Sequence, residues 1–154
     1  MRQCAYVLVL SSQFQGFCRD LHMEGARAVA RILPSTDLQR LVQDSLVLGR
    51  KLDTGNPNPG NIGADFNRFG LVFWPLVDAG HPRNARRKTL LELLNRWRNA
   101  IAHNAFDPGM LRSGRPVLSV AEVRRWRKAC DGLARWFDRI LQRHLGTLIG
   151  RNPW

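Results

Sequence analysis

Hydrophobic positions recur every three or four residues along most of the chain, which is the period of an amphipathic α-helix. The first stripe has seven members, Tyr6, Leu10, Phe14, Phe17, Leu21, Val29 and Ile32. Gly25 is expected to weaken this first helix, and Pro34 is expected to end it, because proline cannot continue a helix. Ser35 or Thr36 can then cap a second helix. The predicted buried residues of that helix are Leu38, Leu41, Val42, Leu46 and Leu48.

The middle of the chain alternates turn signals with helical stripes. Residues 54–63, TGNPNPGNIG, form the clearest predicted loop, because Gly, Pro and Asn favour turns. A third stripe follows, in which Pro75 is expected to act as a kink or an early stop. Its apolar members are Phe66, Phe69, Val72, Phe73 and Leu76. The GHP sequence at 80–82 predicts a turn, and a fourth helix is expected from about Asn84. Its inward residues are predicted to be Leu90, Leu91, Leu94, Trp97 and Ile101.

The last helix has the strongest start signal. Residues 106–116 contain DPG and SGRP and are predicted to be a loop. Ser119 followed by Glu122 is the S-x-x-E pattern of a capping box. The apolar positions beyond it are Val123, Trp126, Cys130, Leu133, Phe137 and Ile140. Because no alternating strand pattern of useful length is present, the sequence predicts an all-α, up-and-down bundle of four to five helices in one domain, residues 1–154.

Charge and cysteine content narrow the class of protein. Lys and Arg number 24 against 12 Asp and Glu, and the net charge of +12 favours a polyanionic partner such as nucleic acid. The longest apolar runs, 5–10 and 71–77, are far below the ~20 residues that span a bilayer, so no membrane segment is expected. The three cysteines lack CxxC spacing and fit free thiols, which predicts a cytoplasmic protein.

Residues 90–104, LLELLNRWRNAIAHN, hold the tightest cluster of chemically capable polar side chains on an otherwise apolar helix. Within it, RNAIAH at 98–103 resembles the signature of HEPN domains (higher eukaryotes and prokaryotes nucleotide-binding), where an Arg and a polar residue precede a His. Residues 10–17, LSSQFQGF, are similar to the first helix of such domains but are far less distinctive. The resemblance implies a HEPN-like bundle and a metal-independent endoribonuclease that needs no cofactor. It also implies a homodimer with a composite site.

The resemblance assigns the catalytic positions to Arg98, Asn99 and His103. RNA would be cleaved by its own 2′-hydroxyl, leaving a 2′,3′-cyclic phosphate and a 5′-hydroxyl. A histidine can accept or donate a proton near neutral pH, and an arginine presents a planar fork to phosphate oxygens. Whether His103 acts as base, acid or electrostatic stabiliser stays open. Asn99 would orient His103 or bind phosphate.

Helix geometry limits what one copy of this motif can do. Five residues turn an ideal helix through about 500°, so Arg98 and His103 point about 140° apart, whereas Asn99 and His103 share a face. Two copies around a twofold axis would bring both groups into one cleft. A second Arg-x4-His pair, Arg139 and His144, has the apolar Ile140 in place of the polar residue. His144 is therefore predicted to be a packing or capping histidine.

Further RNA contacts are predicted near the motif and ahead of it. The candidates are Asn95, Arg96, Asn104, Arg86, Arg87 and Lys88. A second basic group lies on the last helix, and for any single residue the alternative is a solvated helix face. Trp97 and Trp126 are predicted core residues, while Trp136 and Trp154 could stack on bases or meet a partner. No metal site is expected, because His22-x-Glu24 lacks the cysteine pair of the zinc deaminases.

Together these features favour an endoribonuclease that acts as the toxin of a toxin–antitoxin or phage-defence system. Such a system implies a cognate antitoxin or regulatory protein. The competing hypothesis is a non-catalytic module of the same fold that binds RNA, a nucleotide or a protein. A third hypothesis, a basic DNA-binding or architectural protein, lacks any recognition-helix signature.

Overall fold

The computed structural model describes residues 2–154, and most of them are helical. This part of the chain forms seven α-helices: α1 (Arg2–Ala30), α2 (Thr36–Val47), α3 (Lys51–Thr54), α4 (Pro59–Phe66), α5 (Phe73–Gly80), α6 (Asn84–His103) and α7 (Val120–Ile149). A two-stranded antiparallel hairpin of β1 (Leu111–Arg112) and β2 (Arg115–Pro116) lies in the loop between α6 and α7. The prediction of a helical protein is confirmed, but the described residues form seven helices and not four or five.

Helices α1, α6 and α7 pack against one another and surround a core rich in aromatic rings. Phe66, Phe73 and Phe137 are fully buried. The ring centroids of Phe66 and Phe73 are 4.6 Å apart, and those of Phe73 and Phe137 are 4.8 Å apart. Each such ring removed from water contributes about 1.5–3 kcal/mol to stability, so this cluster ties the short middle helices α4 and α5 to α7.

The buried face of α1 is shifted from the predicted stripe. Its buried apolar residues are Val7, Phe14, Cys18, Leu21, Ala26, Ala28 and Ala30. Tyr6 is 64% exposed, and Ile32 lies beyond the end of the helix. Helix α1 continues through Gly25, which allows close packing, because a β-carbon there would lie 2.9 Å from the Phe69 ring. Small residues on one side of α1 therefore decide which face approaches its neighbours.

The predicted start of α2 is confirmed, but the residues of its predicted buried stripe are half-buried at most. The Ser35 hydroxyl accepts a hydrogen bond from the Leu38 backbone N–H at 3.2 Å, as an N-cap residue does. No residue of α2 is buried, and Leu41 and Leu48 are 62% and 72% exposed. The reason is that α2 packs mainly against α1 at the edge of the molecule.

The predicted loop at 54–63 is shorter than expected. Helix α4 begins inside it at Pro59, which occupies a first-turn position where the missing N–H breaks no helical hydrogen bond. The Asn58 side chain caps the helix by accepting from the Asn61 backbone N–H at 2.8 Å.

The predicted third stripe is divided between two helices. After α4, a 3₁₀ turn at Asn67–Phe69 leads to Gly70, whose φ of 80° is left-handed and redirects the chain. Pro75 neither kinks nor ends α5, because it lies in the first turn of that helix. Phe66, Phe69 and Phe73 therefore reach one core from separate elements, whereas Val72 and Leu76 are exposed.

Start signals at the last two long helices are confirmed. Helix α6 begins at Asn84, and Leu91, Leu94 and Trp97 on it are buried. At α7, Ser119 Oγ accepts from the Glu122 N–H at 3.1 Å, and the Glu122 carboxylate accepts from the Ser119 N–H at 2.9 Å. These reciprocal bonds are the capping box that the sequence predicts.

A buried polar cluster fixes the segment around α3 beneath α1. Arg50, 5% exposed, makes a two-point ion pair with Asp53, and its Nη1 lies 3.5 Å from His22 Nδ1. The buried Asp65 carboxylate accepts hydrogen bonds from two backbone N–H groups at the start of α3. His22 Nε2 lies 3.1 Å from the Asp65 carbonyl oxygen, and burial lowers the pKa of His22 to about 4. The ring is therefore neutral in the folded protein at pH 7.

The three cysteines are free thiols, as predicted. Cys18 and Cys130 are buried, and burial raises the pKa of the Cys130 thiol to about 12 and that of Cys18 well above its ordinary value. Between residues 2 and 154, no helix combines the length and apolar character needed to cross a membrane.

Candidate functional site

Arg98 lies on the side of α6 that faces the core. Asn84, Leu91 and Arg98 are spaced by seven residues, so they lie close to one line along the helix. Asn84 and Leu91 are fully buried, and Arg98 is half-buried near the end of the helix. Arg98 thus places a permanent positive charge on the same face of α6 as the buried residues Asn84 and Leu91.

The Arg98 guanidinium has an amide neighbour and no carboxylate partner. Its Nη1 donates a hydrogen bond to Asn99 Oδ1 at 3.2 Å. None of the six ion pairs among the described residues includes Arg98. A guanidinium without a counter-charge favours an external anion, because charge-assisted hydrogen bonds to phosphate or carboxylate are strong.

Residues 55–58, GNPN, pack against this end of α6, and we call them the Asn loop. Asn56 Nδ2 donates to Asn99 Oδ1 at 2.9 Å, which joins the loop to the motif. From α1, Gln15 Nε2 donates to the Gly55 carbonyl oxygen at 2.8 Å. The sequence predicts a loop here but indicates no role for it at the site. The signal that could have identified it is the repeated Asn at 56, 58 and 61, since such side chains bond readily to nearby polar groups.

Asn95 was predicted to contact RNA, but the structure places it in the protein interior. It is 4% exposed, and its Nδ2 donates to the carbonyl oxygens of Pro57 and Leu91 at 3.0 and 2.9 Å. Its Oδ1 is buried without a hydrogen-bond partner among the described residues. A nucleic acid cannot reach this amide, so the role of Asn95 here is to hold the Asn loop against α6.

His103 is exposed and is the last residue of α6. Its side chain forms no hydrogen bond or ion pair within residues 2–154. Five helical residues correspond to a rise of about 7.5 Å and a rotation of about 140° from Arg98. Within one chain, therefore, the imidazole points away from Arg98, and no side-chain hydrogen bond joins it to Arg98 or Asn99.

Two other predicted RNA contacts have structural tasks at the end of α6. Arg96 forms an ion pair with Asp107, with Nη2 2.6 Å from Oδ2, which anchors the loop after the helix. Asn104 ends the helix in a left-handed conformation with φ 50°, a conformation that asparagine tolerates better than most residues. Both side chains are exposed, so a ligand in solution can still reach them.

The basic residues ahead of the motif form a separate cationic surface. Arg86 is exposed, and Arg87 Nη1 donates to the buried Asn84 Oδ1 at 2.8 Å. Lys88 Nζ lies 4.7 Å from the ring centre of Trp74. Arg87 and Arg98 are separated by about 16 Å along α6, so these groups are too distant to share one phosphate with the motif.

The positive charges near Arg87 repel one another. Partial burial lowers the pKa of Arg87, and the neighbouring charges of Arg83 and Arg135 lower it further. Cations that gather without carboxylate partners create a positive potential that attracts polyanions.

The second Arg-x4-His pair is structural. His144 Nε2 lies 2.8 Å from the Phe69 carbonyl oxygen, so the prediction of a packing histidine is confirmed. The Arg139 guanidinium lies over the Trp136 ring, 5.3 Å from its centre. Trp154 donates from Nε1 to the Asp138 carboxylate at 3.1 Å. The two tryptophans considered for base stacking thus already have partners within the chain.

An apolar groove between α1 and α7, of about 520 Å³, was not predicted from the sequence. Tyr6, Phe14 and Val123 line it, and Arg127 provides a cationic edge. It lies at the same end of the molecule as the motif, because Trp126 of α7 packs beside Trp97 of α6 with ring centres 6.4 Å apart. The signal for the groove is the first predicted stripe itself, because Tyr6, Leu10, Phe14 and Phe17 all line it.

Residues 2–154 contain no group of three or more His, Cys, Asp or Glu side chains arranged to hold a metal ion. No protein-family model matches this chain, and comparisons with curated proteins and with solved structures find no significant match.

Proposed function

We propose that this protein is a HEPN-like, metal-independent endoribonuclease whose site combines Arg98, Asn99 and His103 from two copies of the chain. The observation that carries the proposal is that the half-buried residue Arg98 lacks a carboxylate partner and donates to Asn99, on the helix that ends in an exposed His103. A guanidinium that no carboxylate engages can present its planar fork of donors to a phosphate group.

The proposed catalytic roles follow from the chemistry of the side chains. In 2′-hydroxyl attack, a proton leaves the 2′-oxygen, negative charge builds on the phosphorus-bound oxygens, and a proton reaches the departing 5′-oxygen. His103 can serve either proton transfer, because imidazole titrates near neutral pH. Arg98 stays protonated and can neutralise the charge that develops on the phosphate.

A homodimer would overcome the separation of Arg98 and His103 on one helix. Around a twofold axis near the end of α6, His103 of one copy can approach Arg98 of the other. Exposed apolar residues at this end support a partner surface: Tyr6 and Val9 are 64% and 51% exposed and line the groove between α1 and α7. The proposed cellular setting is the cytoplasm, with a cognate antitoxin or regulator that restrains the nuclease.

The decisive experiment incubates the purified protein with mixed RNA in EDTA and analyses the ends of the products. We expect 2′,3′-cyclic phosphate ends, and a loss of cleavage of at least about a hundredfold in both Arg98→Ala and His103→Ala. The chain provides a matched control in its second pair with the same spacing. Arg139→Ala should retain cleavage, because Arg139 packs on Trp136 away from the motif. Equal cleavage by all three variants would refute the proposal.

A non-catalytic RNA-binding module is the second candidate, and the separation of Arg98 from His103 within one chain favours it. In that case RNA binding would weaken with salt and with Arg98→Ala, but His103→Ala would leave the affinity unchanged and no cleavage products would form. Sedimentation of the protein alone adds a further distinction, because a composite site requires a dimer.

A further inference from the structure

A relay of amide side chains connects α4 to the motif, and it starts at a helix cap. Asn58 Oδ1 accepts a hydrogen bond from the Asn61 backbone N–H at 2.8 Å. A backbone N–H can only donate, so the oxygen of the Asn58 amide must face it. The Nδ2 end of Asn58 is thereby turned away from the helix, and it donates to Asn56 Oδ1 at 2.7 Å.

The orientation of the Asn56 amide determines which group faces the side chain of Asn99. Because Asn56 Oδ1 already accepts from Asn58, the opposite end of the Asn56 amide is its donor, and Nδ2 donates to Asn99 Oδ1 at 2.9 Å. The backbone of Asn56 is held as well, since its carbonyl oxygen accepts from Asn61 Nδ2 at 2.8 Å. The loop therefore presents a donor, and not an acceptor, to the side chain of Asn99.

Asn99 Oδ1 receives two hydrogen bonds, one from Asn56 and one from Arg98 Nη1. Two bonds use both lone-pair positions of an amide oxygen. The reversed amide would set its NH₂ group against two donors, which is unfavourable. The exposed end of Asn99 is therefore its NH₂ group, and together with Arg98 it makes a surface of hydrogen-bond donors only.

We propose that Asn56 is a positioning residue that fixes the Asn99 amide with its N–H donors outward, so that Asn99 and Arg98 together bind a phosphate oxygen of RNA. This inference rests on the proposed function, because it takes RNA phosphate as the ligand. A phosphodiester oxygen only accepts hydrogen bonds, so an outward amide oxygen would repel it. Asn56 itself does not need to touch the RNA.

The test measures binding of a short, fluorescently labelled 2′-O-methyl RNA, which cannot be cleaved by 2′-hydroxyl attack. We expect Asn99→Ala and Asn56→Ala each to weaken binding by up to about tenfold, because each removes oriented donors to a charged group. In the double variant, the loss should equal that of Asn99→Ala alone. If the two losses multiply, Asn56 acts independently of Asn99 and the inference is overturned.

A second pair of variants compares loss of the Asn56 donor with the same change in net charge elsewhere in the chain. Asn56→Asp keeps the shape of the side chain but cannot donate to Asn99, so it should weaken binding more than Asn56→Ala. Asn67→Asp is the matched control: its oxygen accepts from the Phe73 backbone N–H, a bond that aspartate also makes, and the change in net charge is the same. Equal losses in Asn56→Asp and Asn67→Asp would overturn the inference.

A spectroscopic readout tests the same point without relying on affinity. The NH₂ signals of Asn99 should shift when the RNA probe is added to the native protein, and they should not shift in Asn56→Asp. Arg98→Ala distinguishes failure of the Asn56 inference from failure of the proposed function. If Arg98→Ala abolishes probe binding while Asn56→Ala has no effect, only the relay is refuted. If Arg98→Ala leaves binding intact, the proposed function is refuted, and so is the proposed role of Asn56 in phosphate binding.

Discussion

Mild acid should destabilise this protein through His22, a residue far from the predicted motif in sequence. The ring is fully buried, with Nε2 donating to the Asp65 carbonyl oxygen and Nδ1 3.5 Å from an Arg50 nitrogen. Protonation would place a second N–H, and a second positive charge, against the Arg50 guanidinium. Burial is the largest cause of the lowered pKa of His22, and the charge of Arg50 adds to it.

The size of the effect follows from the pKa difference. The pKa falls from the ordinary 6.5 to about 4 in the folded protein, and such a difference corresponds to about 3 kcal/mol. Because the folded-state pKa is the lower one, the unfolded chain takes up the proton first as the pH falls. Stability should therefore decrease from about pH 6.5 down to about pH 4 and should lose nothing further through His22 below that.

The assay is urea denaturation, followed by circular dichroism at several pH values across this window. His22→Gln keeps a donor for the Asp65 carbonyl oxygen but cannot titrate, so it should lose less stability than the native chain as the pH falls. His103→Gln is the control, since His103 is exposed and unbonded, and it should follow the native profile. Equal losses in the free energy of unfolding of His22→Gln and the native protein between pH 7 and pH 4.5 would refute this role of His22.

Two further predictions test burial and capping. With a thiol reagent under native conditions, Cys4 should react rapidly. Cys18 and Cys130 are 0% and 3% exposed and should react only as the protein unfolds. Rapid reaction of all three thiols would contradict this prediction. Ser119→Ala removes the cap of α7 and should cost about 1 kcal/mol, which lowers the melting temperature by a few degrees. The exposed Ser12→Ala on α1 should cause no such loss, and an equal loss in both variants would argue against capping as the cause.

Helix starts could be predicted from the sequence because their signals are local. Ser35 and Ser119 bond to backbone groups three residues away, and the alternatives to such caps are few. The extent of burial could not be predicted in the same way. Leu41 has the same periodic spacing as a core residue, yet it is exposed because no further layer covers α2.

The motif itself is a feature of the sequence, since Arg98, Asn99 and His103 lie within six consecutive positions of one helix. The helical period alone also determined that Arg98 and His103 diverge. Only the tertiary structure decided that Arg98 lacks a counter-charge, that Asn95 is buried, and that Asn56 bonds to Asn99 across 43 residues of sequence. The physical reason is that short-range bonding and periodicity are properties of neighbouring residues, whereas burial and long-range hydrogen bonds depend on which segments the core brings together.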